Sequence, residues 1–167
     1  MSTFTGTFLN DEITPFEVSN GVGVVVDAGG DDRPSADADA LFGRDGNDTL
    51  WGDGGGDTLD GGEDLDSIDG GGGGDEIDGG GDPDIVLGGE GDDTISVGLH
   101  DTLVDGGDED DLLLVFGAPF GLHGGSGEDT LDAQGSEDLT TTLLTGIEVL
   151  ALDDSALALT AFQLGGV

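Results

Sequence analysis

Aspartate recurs every nine residues through the middle of this sequence. Counted in nines from Gly43, six consecutive segments carry Asp at their sixth position, namely Asp48, Asp57, Asp66, Asp75, Asp84 and Asp93. Gly stands first in all six segments, where it lets the backbone turn its carbonyl oxygens towards an ion. Short carboxylates and carbonyls are the hard oxygen donors that calcium prefers. The spacing therefore predicts a series of calcium sites.

The same count extends beyond these segments in both directions and runs without a slip to Thr141. The further residues that it places at the sixth position are Asp39, Asp111, Asp129 and Asp138. Two segments, 97–105 and 115–123, carry Thr102 and Phe120 there instead, so we expect their turns to be broken. A bulge would bring Asp101 into the ligand position of the first broken turn.

An aliphatic residue at the eighth position indicates the element that follows each turn. In the six central segments these residues are Leu50, Leu59, Ile68, Ile77, Val86 and Ile95, and their neighbours at the seventh and ninth positions are mostly polar. This alternation is typical of a short strand with one buried face. Each nonapeptide is therefore predicted to be a glycine-rich turn followed by a short strand.

The pattern G-G-x-G-x-D-x-U-x, in which U is aliphatic, resembles the RTX (repeats-in-toxin) family, whose haemolysin-type repeats bind calcium. The resemblance is specific over 43–96 and extends in degraded form over most of the chain. It implies an all-β fold, a parallel β-roll (right-handed β-helix or solenoid) of nonapeptide repeats. Two nonapeptides would close one coil, with calcium held between adjacent turns by the aspartates and by turn carbonyls.

In such a roll successive nonapeptides lie on opposite sides, so the aspartates form two columns. The first column comprises Asp39, Asp57, Asp75, Asp93, Asp111 and Asp129. The second column comprises Asp48, Asp66, Asp84 and Asp138, interrupted by Thr102 and Phe120. Ligand counting predicts about five sites between turns in the first column and about two in the second, roughly seven ions in all. The ions are thus expected to be distributed asymmetrically.

The ends of the chain are less regular than this 34–141 roll. Residues 1–33 are interpreted as degenerate N-terminal coils or a cap, in which Asp11, a weaker ligand candidate, and Ile13 match positions six and eight. Apolar runs at 22–26 and 147–152 predict strands, and Ser155 could cap an apolar segment at 156–164. Residues 142–167 are interpreted as a C-terminal cap and a possible secretion-signal region, since solenoids need covered ends.

Composition excludes several classes of function. The 167 residues carry a formal net charge of −37 with only two basic residues, so nucleic acid and anionic membrane surfaces are unsuitable partners. There is no Cys, no apolar run long enough for membrane insertion and no recognisable N-terminal signal peptide. Motifs of zinc proteases and serine hydrolases are also missing, so we expect no enzyme.

The leading hypothesis is a secreted protein that stays disordered without calcium and folds on extracellular calcium. Bacterial type I secretion without a cleaved N-terminal signal would export it, as the resemblance implies. Its role would be structural or adhesive at the cell surface or in the matrix, through end-to-end self-association or a surface partner. The alternatives are a folding and secretion module of a larger toxin or exoenzyme system, and a calcium buffer.

Overall fold

The computed structural model describes residues 2–5, 12–13, 36, 38–134, 139 and 142–152. Within these residues every regular element is a β-strand. The strands are β1 (Ser2–Thr5), β2 (Glu12–Ile13), β3 (Asp39–Asp45), β4 (Thr49–Trp51), β5 (Thr58–Glu63), β6 (Ser67–Gly72), β7 (Glu76–Gly80), β8 (Ile85–Glu90), β9 (Thr94–Val97), β10 (Leu103–Asp108), β11 (Leu112–Val115), β12 (Gly121–Ser126), β13 (Thr130–Ala133), β14 (Leu143–Thr145) and β15 (Val149–Leu152).

The strands alternate between two parallel sheets. One sheet has the order β1-β3-β5-β7-β9-β11-β13-β15, and the other has the order β14-β12-β10-β8-β6-β4-β2. Each strand pairs with the strand two further along the chain, so two strands and two turns make one coil. The predicted parallel β-roll is therefore confirmed.

Most of the core is formed by the eighth position of each nonapeptide, which gives one inward row from each of the two sheets. From β3 to β13 these side chains are at most 1% exposed, and they are Leu41, Leu50, Leu59, Ile68, Ile77, Val86, Ile95, Val104, Leu113, Leu122 and Leu131. Equivalent residues pair directly between coils, for example Ile68 with Val86. Because neighbouring strands lie about 4.8 Å apart, the turns are stacked at the same interval.

At the N-terminal end, pairing extends the roll to residues far away in the sequence. Phe4 pairs with Leu41, and Ile13 pairs with Leu50. Ile13 thus stands in register with the eighth position, as its interpretation as part of a degenerate half-coil requires. The strand predicted at 22–26 lies outside the described residues.

At the C-terminal end the count of nine is wrong. It predicts that Thr140 faces Leu122, but the partner of Leu122 is Leu144. Leu139 is fully buried, and the Thr142 hydroxyl donates a hydrogen bond to the carbonyl of Pro119 at 2.7 Å. An apolar side chain at the inward position is favoured over a hydroxyl, so the chain shifts by four residues to place Leu144. The strand predicted over 147–152 is present as β15, and the predicted segment at 156–164 lies outside the described residues.

Candidate metal centre

The aspartate columns form continuous hydrogen-bonded ladders between coils. In each rung, a backbone N–H of one column Asp donates to Oδ1 of the Asp that lies 18 residues later. The distance from the Asp57 nitrogen to Asp75 Oδ1 is 2.8 Å in the first column, and the distance from the Asp66 nitrogen to Asp84 Oδ1 is also 2.8 Å in the second column. The other rungs join Asp39 to Asp57, Asp48 to Asp66, Asp75 to Asp93, Asp93 to Asp111 and Asp111 to Asp129, at 2.8–3.0 Å. The nine-residue phase therefore brings the predicted ligands together in space.

The second oxygen of these carboxylates is buried and accepts no hydrogen bond. This holds for Oδ2 of Asp57, Asp66, Asp75, Asp84, Asp93, Asp111 and Asp129. The residues themselves are at most 4% exposed. Leaving a buried carboxylate oxygen without a partner is expensive, so each one requires a proton or a cation.

Glycine at the first position makes room for this oxygen. A Cβ atom added at Gly61 would lie 2.5 Å from Asp66 Oδ2 and 2.5 Å from the carbonyl oxygen of Gly79 in the next coil. A side chain at this position would occupy the space around two oxygens from adjacent turns. The Gly at the first position of the six central segments is thus explained by the room that these oxygens need.

In the two broken turns the first position carries an apolar side chain instead of Gly. Their first residues are Val97 and Val115, which are fully buried in the core. Their sixth residues are Thr102 and Phe120 rather than Asp. Where no carboxylate needs the space over the first position, an aliphatic side chain can fill it. These turns are held by apolar packing at the position where the other turns place an unpartnered oxygen.

A bulge in the first broken turn restores a buried carboxylate. The N–H groups of Thr102 and Leu103 both point to the carbonyl of Asp84, at 2.7 and 3.4 Å. Asp101 is consequently 1% exposed, while Thr102 is exposed. The bulge that the sequence allowed is therefore present. Phe120 in the second broken turn is 66% exposed, so that turn lacks a ligand at its sixth position, as expected.

One carboxylate at the end of the first column does not follow from the nine-residue repeat. The N–H of Asp129 donates to Glu148 Oε2 at 3.1 Å, although Glu148 lies 19 residues later. Its place in the column depends on the shifted register of the last coil, which the count of nine does not contain. Two other predicted ligands, Asp11 and Asp138, lie outside the described residues.

Burial raises the pKa of six column carboxyls, those of Asp57, Asp66, Asp75, Asp84, Asp93 and Asp111, well above the usual value near 4. Desolvation is the main cause, repulsion between carboxylates adds to it, and the backbone N–H donors partly offset it. The pKa is raised to about 6 for Asp75 and Asp111, to about 7 for Asp57, Asp66 and Asp93, and to about 8 for Asp84. Without a bound cation, these groups ionise only at a higher pH than an exposed carboxyl does, and Asp84 stays mostly protonated at pH 7.

The donor set fits calcium. Among the described residues no group of three or more His, Asp or Glu side chains is placed to hold a metal ion. A site between turns would therefore combine column carboxylates with backbone carbonyls, such as Asp66 and the Gly79 carbonyl. All of these donors are hard oxygens, which suit calcium rather than zinc or copper.

Comparison with known proteins agrees with this chemistry. A family model described as the RTX calcium-binding nonapeptide repeat matches residues 35–68, 69–99, 78–113 and 122–139, which together make up more than half of the chain. Neither the curated proteins nor the solved structures give a match. No helix in the described part of the chain is long and apolar enough to cross a membrane.

Proposed function

This chain belongs to the RTX calcium-binding nonapeptide repeat family, and we propose that its roll folds when it binds extracellular calcium. The protein would be exported by bacterial type I secretion. Outside the cell it would act as a structural or adhesive, non-catalytic component of the cell surface or matrix.

The observation that carries this proposal is the set of unpartnered Oδ2 atoms in both columns. The residues that would hold the ions are the column aspartates with the turn carbonyls beside them. In the first column these are Asp39, Asp57, Asp75, Asp93, Asp111 and Asp129, and in the second column Asp48, Asp66 and Asp84. Bound calcium would supply the positive charge that these stacked carboxylates lack.

Charge explains why folding would depend on the compartment. The formal charge of −37 favours an extended chain when calcium is scarce, as it is in a cytosol, and an extended chain suits passage through a secretion channel. Extracellular calcium modules bind at about 10⁻⁴ to 10⁻³ M. Millimolar calcium outside the cell would then drive folding by binding the native state.

Replacing Asp75 with Asn tests the assigned ligands. Asp75 Oδ1 accepts the N–H of Asp57, and its own N–H donates to Asp93 Oδ1, so Asp75 borders two sites between turns. We expect D75N to lose about two ions, measured by equilibrium dialysis at saturating calcium.

Glu128 provides the matched control for D75N. Its side chain is exposed and only its backbone N–H is used, donating to Asp110 Oδ1 at 2.8 Å. E128Q removes the same charge but should retain all the ions. Equal loss of calcium in D75N and E128Q would contradict the assignment of the columns.

A structural or adhesive role is supported by exposed apolar side chains in the broken turns. Leu99 is 61%, Phe116 is 54% and Phe120 is 66% exposed. We call these three residues the apolar turn face. In a strongly acidic protein, the segment 115–123 carries no acidic residue, so two copies could approach there with little repulsion. A calcium buffer would not need such a surface.

Light scattering in millimolar calcium tests this role. We expect wild-type protein to self-associate and F116S/F120S to remain monomeric, because exposed apolar area drives association. L65S is the control, since Leu65 is 50% exposed but is flanked by Asp64 and Asp66. A monomeric wild-type protein at all concentrations would contradict self-association, and association that persists in F116S/F120S would favour end-to-end contacts instead.

A further inference from the structure

Asp101 lies one residue before the position that the repeat assigns to a ligand, yet it is buried on the same side of the roll as the second column. We propose that Asp84 and Asp101 together hold one further calcium ion, between the turn at 79–84 and the bulged turn at 98–102. This inference rests on the proposed function and adds a site that the nine-residue pattern does not contain.

The unpartnered oxygens of the two turns carry the proposal. Asp101 Oδ2 accepts the N–H of Gly98 at 2.8 Å, which fixes the carboxylate in the bulged turn. Asp101 Oδ1 is buried without a hydrogen-bond partner, and so is Asp84 Oδ2 in the coil below. Two adjacent turns thus each bury one carboxylate oxygen that has no hydrogen-bond partner.

The bulge allows this arrangement without disturbing the sheet. Asp84 and Asp101 are 17 residues apart, whereas the other rungs of this column span 18. Because Thr102 and Leu103 share the carbonyl of Asp84, the extra residue is absorbed before the strand begins. Leu103 then pairs with Ile85 and Val104 with Val86, in the usual register.

The partner of these oxygens has to come from solution. No Lys or Arg occurs after Arg44 in the sequence. His100 is close enough to favour the ionised form of Asp101 but donates no hydrogen bond to the free oxygens of Asp84 and Asp101. Beside the bulge, oxygens from two adjacent coils surround the space next to Gly98, since a Cβ atom added there would lie 3.6 Å from both Asp101 oxygens and 3.2 Å from the carbonyl oxygen of Gly80. Carboxylate and carbonyl oxygens in this arrangement suit a hard divalent cation.

Native mass spectrometry at saturating calcium tests this site by counting the calcium ions bound to D101N and to the wild-type protein. Asn has nearly the same shape as Asp, and its amide oxygen can still accept the Gly98 N–H, so the bulge is retained. We expect D101N to carry about one ion fewer than wild type, D75N about two fewer and E128Q the full number. The count is made on the compact, folded charge states, so an unfolded fraction does not enter it.

A second variant separates loss of the ligand from loss of the turn. D101N/T102D moves the carboxylate to the sixth position of the repeat, and we expect it to recover the missing ion. A D101N protein with the full wild-type count would overturn the Asp101 site while leaving the proposed function intact. A wild-type protein that binds no calcium would overturn both.

Discussion

Removing calcium at pH 7.5 is expected to unfold the whole roll. Every coil between β3 and β13 contributes at least one buried column carboxylate, and neighbouring turns are only about 4.8 Å apart. At an effective dielectric constant near 20, each adjacent pair of charges at that spacing repels by roughly 3 kcal/mol. Native domains are stable by only about 5–15 kcal/mol, so the summed repulsion is sufficient to unfold the protein.

Circular dichroism and small-angle scattering would measure this transition. In chelator we expect a coil-like spectrum and a radius of gyration of about 40 Å, and in millimolar calcium a strand spectrum and a radius below about 20 Å. Magnesium at equal concentration is the control, since it demands a tighter octahedral shell and keeps its waters. We expect little folding with magnesium. A strand spectrum that is unchanged by chelator would contradict a calcium-dependent fold.

In the absence of calcium, mild acid is expected to restore part of the folded structure, because protons neutralise the buried column carboxylates. The folded-state pKa lies at about 6 for Asp75 and Asp111, about 7 for Asp57, Asp66 and Asp93, and about 8 for Asp84, against an ordinary value of 3.8. Since these pKa values are raised, the folded state binds more protons than the unfolded chain between pH 4 and 8. The stabilising effect of protonation is complete below about pH 4 and is lost as the pH rises through 6 to 8.

A pH titration of the calcium-free protein would test whether lower pH stabilises the folded state. We expect strand signal to appear as the pH falls from 8 towards 5, measured by circular dichroism at low protein concentration. Each pKa unit corresponds to about 1.4 kcal/mol per group, so several groups acting together should give a large change. D84N provides an internal comparison, because it removes the carboxyl with the highest pKa. The folded state of D84N then carries one buried charge fewer, so strand signal should appear at a higher pH than in the wild type. A calcium-free chain that is equally unfolded at pH 8 and pH 5 would show that carboxylate burial is not the obstacle to folding.

Much of the site could be predicted because the repeat encodes local structure. Turn and strand are both completed within nine residues, so the sequence alone predicted the inward row at position eight and the two aspartate columns. The structure confirms that row from Leu41 to Leu131 and stacks the column residues 18 apart. The metal-ligand role of these residues is a prediction for the binding experiments above.

The sequence by itself thus predicted the fold class, calcium as the ion and the alternation of sides, since residue type and period carry both the turn-and-strand pattern and the family resemblance. The sequence located the broken turns at Thr102 and Phe120 and allowed the bulge at Asp101, but only the tertiary structure decided which residues fill the positions at which the period fails. Asp101 enters the second column through a bulge, Glu148 ends the first column 19 residues after Asp129, and Leu144 replaces Thr140 opposite Leu122. In each case a hydrogen bond or a buried side chain in the neighbouring coil selects the residue. That choice depends on contacts between coils, which a count along one chain does not contain.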